Sequence, residues 1–157
     1  MKQKLLLALF VLNISIPVPV LAANDHAAHA HGAATLQLNE GKKWETDAPL
    51  RQSMGNIRQA LAAALHEIHE DRLPAKKYGA LANKVKHEVS QIVAQCKLAP
   101  AADAQLHLIV AELLEGADQM AGKVKGVKRQ SGAIRIIGAL DNYATYFEDA
   151  GFKPITH

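Results

Sequence analysis

Four stretches of this sequence carry apolar residues at intervals of three and four positions, the spacing of one face of an α-helix. No stretch alternates apolar and polar residues with the period of two expected of a half-buried strand. The pattern therefore predicts four amphipathic helices and no sheet. In chain order, the four apolar stripes are Leu50, Met54, Ile57, Leu61, Leu65 and Ile68; Tyr78, Leu81, Val85, Val89, Ile92 and Cys96; Leu106, Ile109, Val110, Leu113, Ala117, Met120 and Val124; and Ala133, Ile136, Ile137, Leu140, Ala144 and Phe147.

The residues that flank the stripes are those that start and stop helices. Asp47 is a favourable N-cap for the first helix, and Pro49 suits a first turn because its missing N–H would be unpaired there. Breaks are expected near Pro74 and Pro100, since proline interrupts a helix. The third helix should fray near Gly122, because glycine is a poor helix former.

Amphipathic helices joined by short turns pack antiparallel on their neighbours. The sequence therefore predicts an all-α fold, an antiparallel up-down-up-down four-helix bundle over residues 46–151, followed by a C-terminal tail over residues 152–157. The stripes are rich in alanine and the whole chain has 3 phenylalanines, so we expect close helix contacts around a thin core.

The start of the chain has the three parts of a secretory leader. Lys2 and Lys4 supply a positive region, Leu5–Leu12 an apolar run, and Val20-Leu21-Ala22 a cleavage site of small residues. We expect residues 1–22 to be a signal peptide and the product to be periplasmic or secreted. No other apolar run approaches the roughly 20 residues that span a bilayer, so stable membrane insertion of the processed chain is not expected.

The charge of the chain argues against a nucleic-acid partner. The full sequence has a formal net charge of +3, from 18 basic and 15 acidic residues. Removal of Lys2 and Lys4 with the leader leaves 16 basic residues against the same 15 acidic ones, a net charge of +1. Proteins that bind nucleic acids usually carry a clear basic excess, so no nucleic acid is expected to bind here.

Residues 23–45 are predicted to form a flexible arm that carries His26, His29 and His31. Neutral imidazoles on a mobile segment can fold around a transition metal ion. We expect Cu(II) first, with Zn(II) and Ni(II) as alternatives. The other interpretation of this arm is a solvated low-complexity linker in which histidine happens to recur.

The position of the leader cleavage decides the geometry of such a site. Cleavage after Ala23 would leave Asn24-Asp25-His26 at the new N-terminus, where an amine, two amides and an imidazole can surround Cu(II) or Ni(II) in a square plane. Cleavage after Ala22 fits the small-residue rule better and moves His26 to the fourth position. In that case the three imidazoles would act alone.

A second pair of histidines, His66 and His69, lies at i and i+3 near the end of the first helix. Their rings can approach each other, and the helix dipole favours positive charge at that end. With Glu67, Glu70 and Asp71 nearby, the pair is a candidate for a weaker secondary metal patch. The alternative is a solvated face of mixed charge.

An internal site is the third metal hypothesis. In an antiparallel bundle, five residues share one level: Met54, Cys96, His107, Tyr143 and Tyr146. Thioether, thiolate and imidazole there would suit Cu(I). The competing interpretation is that Met54 and Cys96 are ordinary core residues and that His107 lies at the edge of the core. Cys96 is the single cysteine, so neither an intramolecular disulfide nor a site made of cysteines alone can form.

Several catalytic chemistries lack their motifs. The sequence has no C-x-x-C-H for covalent haem, no H-E-x-x-H for a zinc protease, and no glutamate three residues before a histidine as di-iron bundles require. Nothing resembles a nucleophile with its base. The sequence therefore does not predict an enzyme.

Charged residues gather by sign at the two ends of the predicted bundle. Acidic residues at one end are Glu45, Asp47, Asp103, Glu148 and Asp149, and basic residues at the other are Arg72, Lys76, Lys77, Lys123, Lys125, Lys128, Arg129 and Arg135. The basic end is either a dock for an anionic partner or lipid headgroups, or a solubilising surface.

The architecture resembles the periplasmic cytochrome b562 and cytochrome c′ families. Met54 lies early in the first helix, where the b-type family supplies its methionine ligand, so the resemblance implies haem binding and electron transfer. That family takes its second ligand from a histidine in the last helix, and the corresponding run Asp141–Tyr146 contains none, so haem is not expected. The run Gly41–Arg51 behind a histidine-containing arm is also similar to exported DnrO-like proteins of proteobacteria.

From these patterns we expect an exported four-helix bundle that binds a transition metal, copper first, and acts in metal buffering, delivery or tolerance. A haem-binding bundle is one alternative. The other is a structural protein whose helical faces recruit another envelope protein.

Overall fold

The computed structural model describes residues 35–155, and they form the four predicted helices. The elements are α1 (Ala48–His69), α2 (Ala75–Gln95), α3 (Pro100–Met120) and α4 (Arg129–Tyr146). The chain is an all-α bundle, which confirms the fold class. The predicted signal peptide, residues 1–22, and His26, His29 and His31 lie outside the described residues.

Contacts between successive helices join the end of one to the start of the next, as an antiparallel bundle requires. Lys77 near the start of α2 lies 3.0 Å from Glu67 near the end of α1. The α4 side chain of Gln130 donates to the carbonyl of Ile68 at 2.7 Å, which closes the ring of helices. Helix α1 packs on α2 and α4, and α3 packs on the same two neighbours.

The predicted apolar stripes form the core, with a few local differences. Leu50, Met54 and Leu61 are fully buried, as are Val85, Leu113 and Leu140 on the other helices. Five stripe residues are only half-buried: Leu65, Leu81, Cys96, Val110 and Ala144. Val124 is wrongly assigned to the third stripe: α3 ends at Met120, and Val124 lies in the following turn with 37 % of its surface exposed. Gly122 has a φ of +76°, a left-handed conformation that favours glycine and ends a helix.

Helices α3 and α4 lie so close together at two glycines that backbone atoms of one helix pack against backbone atoms of the other. A β-carbon added at Gly116 would lie 2.7 Å from the carbonyl oxygen of Gly132, and one added at Gly132 would lie 2.7 Å from the amide nitrogen of Met120. Neither distance leaves room for a side chain. The two glycines therefore permit a helix separation that alanine would prevent.

The segment before α1, which belongs to the predicted arm, packs on the bundle in its described part. The N–H of Trp44 donates to the carbonyl of Tyr146, and its carbonyl accepts from the N–H of Glu148, both at 2.8 Å. The indole Nε1 donates to the carbonyl of Gln37 at 2.7 Å, and the Gln37 N–H donates to the side chain of Gln105 on α3 at 2.8 Å. Part of the predicted arm, residues 36–45, thus lies against the helices.

Residues 152–155, which belong to the predicted C-terminal tail, also pack on the bundle. Phe152 meets the ring of Tyr143 edge-on at a centroid distance of 4.9 Å, and Ile155 is 6 % exposed. The Arg58 Nε donates to the carbonyl of Lys153. The two segments that flank the helices therefore cover the same end of the core.

The contact between α3 and α4 predicts opposite effects for two alanine substitutions in one helix. Gly132→Ala should lower the free energy of unfolding by about 2 to 3 kcal/mol, because the new methyl group overpacks a backbone contact. Gly138→Ala should raise it by about 1 kcal/mol, because nothing lies within 4 Å of its β-carbon position and alanine is the better helix former. Urea denaturation measures both. Equal effects would contradict the close contact.

Candidate functional site

His66 and His69 lie in the last turn of α1, as the sequence predicts. The Nε2 of His66 lies 3.3 Å from a carboxylate oxygen of Glu70, and the two side chains are 79 % and 41 % exposed. His69 is also exposed. The pair therefore stands on the surface beside one carboxylate. Within residues 35–155, no group of three or more His, Cys, Asp or Glu side chains is arranged to hold a metal ion.

The predicted internal site is only partly assembled. Cys96 and His107 line one pocket of about 210 Å³ between α2 and α3, together with Asp103 and apolar side chains. Met54 is not among the residues that line it and is fully buried in the core. His107 is 70 % exposed, and its Nδ1 lies 2.8 Å from the carbonyl oxygen of Asp103. The three proposed ligands of Cu(I) therefore do not converge.

The thiol of Cys96 is engaged by a carboxylate that also caps α1. Asp47 Oδ1 accepts from the N–H of Leu50 at 2.9 Å and from Cys96 Sγ at 3.4 Å. Its Oδ2 accepts from the N–H of Lys97 at 2.6 Å. One side chain thus satisfies the first turn of α1 and the residues just after α2. The sequence predicts Asp47 as the N-cap of α1 but does not predict its hydrogen bonds from Cys96 and Lys97.

These contacts shift two pKa values in opposite directions. Burial works to raise the pKa of Asp47, but the N–H groups of Lys97 and Leu50, helped by the Cys96 thiol, outweigh it and hold the pKa below its ordinary value of 3.8. Burial, followed by the hydrogen bond and charge of Asp47, raises the pKa of Cys96 to about 12. The thiol is therefore protonated at neutral pH, a poor state for a nucleophile or a metal ligand.

A buried carboxylate between α1 and α2 was not foreseen. Glu88 is 3 % exposed, and its oxygens accept from Lys84 Nζ at 2.6 Å and from Asn56 Nδ2 at 3.2 Å. Burial works to raise its pKa, but the hydrogen bonds from Lys84, Asn56 and Ser53 outweigh it and lower the pKa. The i, i+4 spacing of Lys84 and Glu88 was the available sequence signal.

The two ends of the bundle differ in charge less sharply than the sequence predicts. The end that holds Asp47 and Glu148 also holds three exposed lysines, which dilute its negative charge: Lys42, Lys43 and Lys97. At the other end, Lys128 Nζ lies 3.2 Å from Asp71, so the two turns there are in direct contact. The positive charge at the end with Lys128 is therefore clearer than the negative charge at the end with Asp47.

Comparisons with protein-family models, with curated protein sequences and with solved structures find no match for this chain. The resemblance to the cytochrome bundles and to DnrO-like proteins therefore stays a prediction from the sequence. No helix within residues 35–155 combines the length and the apolar character needed to cross a membrane.

The protonated state of Cys96 is testable by alkylation. At pH 8, we expect iodoacetamide to react with Cys96 at least about 100-fold more slowly than with glutathione, because the thiolate is the reactive species. Asp47→Asn should speed the reaction, since it removes the charge that opposes thiolate formation. Glu45→Gln is the control, because Glu45 makes no bond to the thiol. An alkylation rate of Cys96 equal to that of glutathione would contradict a protonated thiol.

Asp47 should also make stability depend on pH. Asp47→Ala is expected to lower the free energy of unfolding by about 1 to 2 kcal/mol at pH 7, the usual cost of losing an N-cap. Because the pKa of Asp47 is lower in the folded protein than in the unfolded chain, its stabilisation is present above about pH 4 and is lost as the pH falls through the folded value.

Denaturation of both proteins from pH 7 to pH 2 measures this effect, and the difference between them should shrink below about pH 4. The control is Asp141→Ala, at an exposed position on α4. A difference that stays constant down to pH 2 would show that the ionised carboxylate is not what stabilises the helix ends.

Proposed function

We propose that this protein is an exported transition-metal-binding protein that takes Cu(II) through His26, His29 and His31. The observation that carries the proposal is the occurrence of three histidines within six residues, directly after a sequence with the features of a secretory leader. Neutral imidazole is a good ligand for Cu(II), and also for Zn(II) and Ni(II). The processed chain is the form that binds the metal ion, since the leader must be removed to expose the new N-terminus.

The two cleavage positions correspond to two coordination modes. A chain that starts at Asn24 would bind Cu(II) through its amine, two deprotonated amides and the imidazole of His26, all in one plane. A chain that starts at Ala23 would use the imidazoles of His26, His29 and His31. Both modes release protons on binding, because the ligands must be deprotonated.

His66 and His69 are proposed as a weaker secondary patch. Their exposure and their i, i+3 spacing allow one ion to reach both rings. The carboxylate of Glu70, 3.3 Å from His66, can offset the charge of the ion. A site with two imidazoles on a helix surface holds metal less tightly than one with three or four nitrogen ligands.

The role that fits such a protein is buffering, delivery or tolerance of copper rather than catalysis. The bundle is the compact domain that carries the arm. Hydrogen bonds of Trp44 and Gln37 hold residues 36–45 against the helices. Delivery would require transfer to an envelope protein, the partner class that we propose.

Metal titration of the protein purified after export tests the proposal, with the N-terminus determined by mass spectrometry. We expect one Cu(II) per chain to bind tightly by calorimetry. Changing His26, His29 and His31 together to alanine should weaken binding at least tenfold, or about 1.4 kcal/mol. The pair His66→Ala and His69→Ala should remove only a weaker second ion.

The matched control changes His87 and His107, two exposed histidines on α2 and α3, to alanine and should leave the tight site intact. The proposal fails if the arm variant and this control bind Cu(II) equally. It also fails if the mature protein begins after His31.

A further inference from the structure

We propose that the turn between α3 and α4 docks on the surface of a lipid bilayer that carries anionic headgroups. This turn, residues 122–128, is called the basic tip here and reads Gly-Lys-Val-Lys-Gly-Val-Lys. All seven of its residues are exposed, and Val124 and Val127 each expose 37 % of their surface. The basic tip thus presents two apolar side chains between three lysines at one end of the bundle.

The base of the basic tip is fixed, whereas its apex is not bonded to the bundle. The Gly122 N–H donates to Gln119 at 2.9 Å, and Arg129 Nη1 donates to the carbonyl of Met120 at 2.6 Å. The Arg129 guanidinium fills the space where a Gly122 β-carbon would lie. Residues 124–127 make no hydrogen bond to the rest of the part that the structure describes. Their backbone groups can therefore bond to water or to headgroups.

The neighbouring turn, between α1 and α2, brings basic and acidic side chains to the same surface in equal number. Arg72, Lys76 and Lys77 lie in or beside it, and the contact of Lys128 with Asp71 joins the two turns. The ion pairs at this end are Arg72 with Glu70, Lys77 with Glu67, Lys123 with Asp118, and Lys128 with Asp71. Lys76, Lys125 and Arg129 have no carboxylate partner among residues 35–155, so the end keeps a net positive charge.

This combination fits an anionic bilayer better than an acidic protein. Lysines near a membrane are attracted by the negative surface potential, and each contributes roughly a fivefold gain in binding. Apolar side chains that lie between the lysines can enter the headgroup region, which acts as a second signal. Two partly exposed valines bury little area, so binding should be weak, reversible and sensitive to salt. Binding to an acidic protein would require only the lysines and would give the two exposed valines no role.

Sedimentation with vesicles tests the proposal on the processed full-length chain, with a chelator present so that bound metal does not contribute. Vesicles of equal parts phosphatidylglycerol and phosphatidylcholine should retain the protein at low salt, and pure phosphatidylcholine vesicles should not. Raising the salt to 0.5 M should release it.

Two pairs of variants separate the basic tip from general effects. Lys125→Glu should weaken binding by roughly 25-fold, since it removes one positive charge and adds a negative one. Lys153→Glu makes the same charge change away from the basic tip, beside Arg58 in the middle of α1, and should alter binding less than about threefold. Val124→Ser with Val127→Ser should weaken binding several-fold, whereas Val93→Ser, at a more exposed valine near the end of α2, should have no effect. Thermal unfolding checks that each variant is folded.

Three results would overturn the proposal. The first is absence of binding to the anionic vesicles at millimolar lipid and low salt. The second is equal weakening by Lys125→Glu and Lys153→Glu, which would indicate attraction by net charge alone. The third is salt-sensitive binding that depends on Lys125 but not on the two valines, which would favour an acidic macromolecule as the partner.

Discussion

The close contact of α3 with α4 is the constraint on which the bundle depends. Gly116 and Gly132 face each other across this interface, and backbone atoms there leave no room for a methyl group. Because the described core holds five alanines and only three aromatic side chains, tight helix spacing supplies the packing that large side chains would otherwise provide. Helices α1 and α2 then complete the ring around this pair and bury the remaining apolar stripes.

The two ends of this bundle are built in different ways. At one end, Asp47 joins the start of α1 to the residues after α2, and Trp44 joins the segment before α1 to the residues after α4. Chain segments outside the helices thus close the core there, and burial together with the same carboxylate keeps the Cys96 thiol protonated. At the other end, the turn between α3 and α4 exposes its lysines and valines. The first end is a structural closure, and the second is available to a partner.

The two proposals place different functions on different parts of the chain. Metal binding is assigned to histidines near the N-terminus of the processed protein, and membrane docking is assigned to the basic tip. Neither requires the apolar interior, which serves to hold the helices in place. Two candidates for a soft metal site lie in different environments: Met54 is fully buried, and His107 is largely exposed. Bonding to Asp47 gives Cys96 a structural role instead.

The sequence by itself determined the number of helices, the N-cap of α1 and most of the buried faces, because apolar periodicity and capping act over a few neighbouring residues. Asp47 as the N-cap of α1 and the position of His66 and His69 near the end of α1 were predicted in this way. Only the tertiary structure decided that Trp44 and Ile155 belong to the folded part, that Gly116 meets Gly132, and that Cys96 faces Asp47 rather than Met54. Those contacts join residues far apart in the chain, and helical spacing fixes the level of a side chain along the bundle but not its distance from residues on another helix.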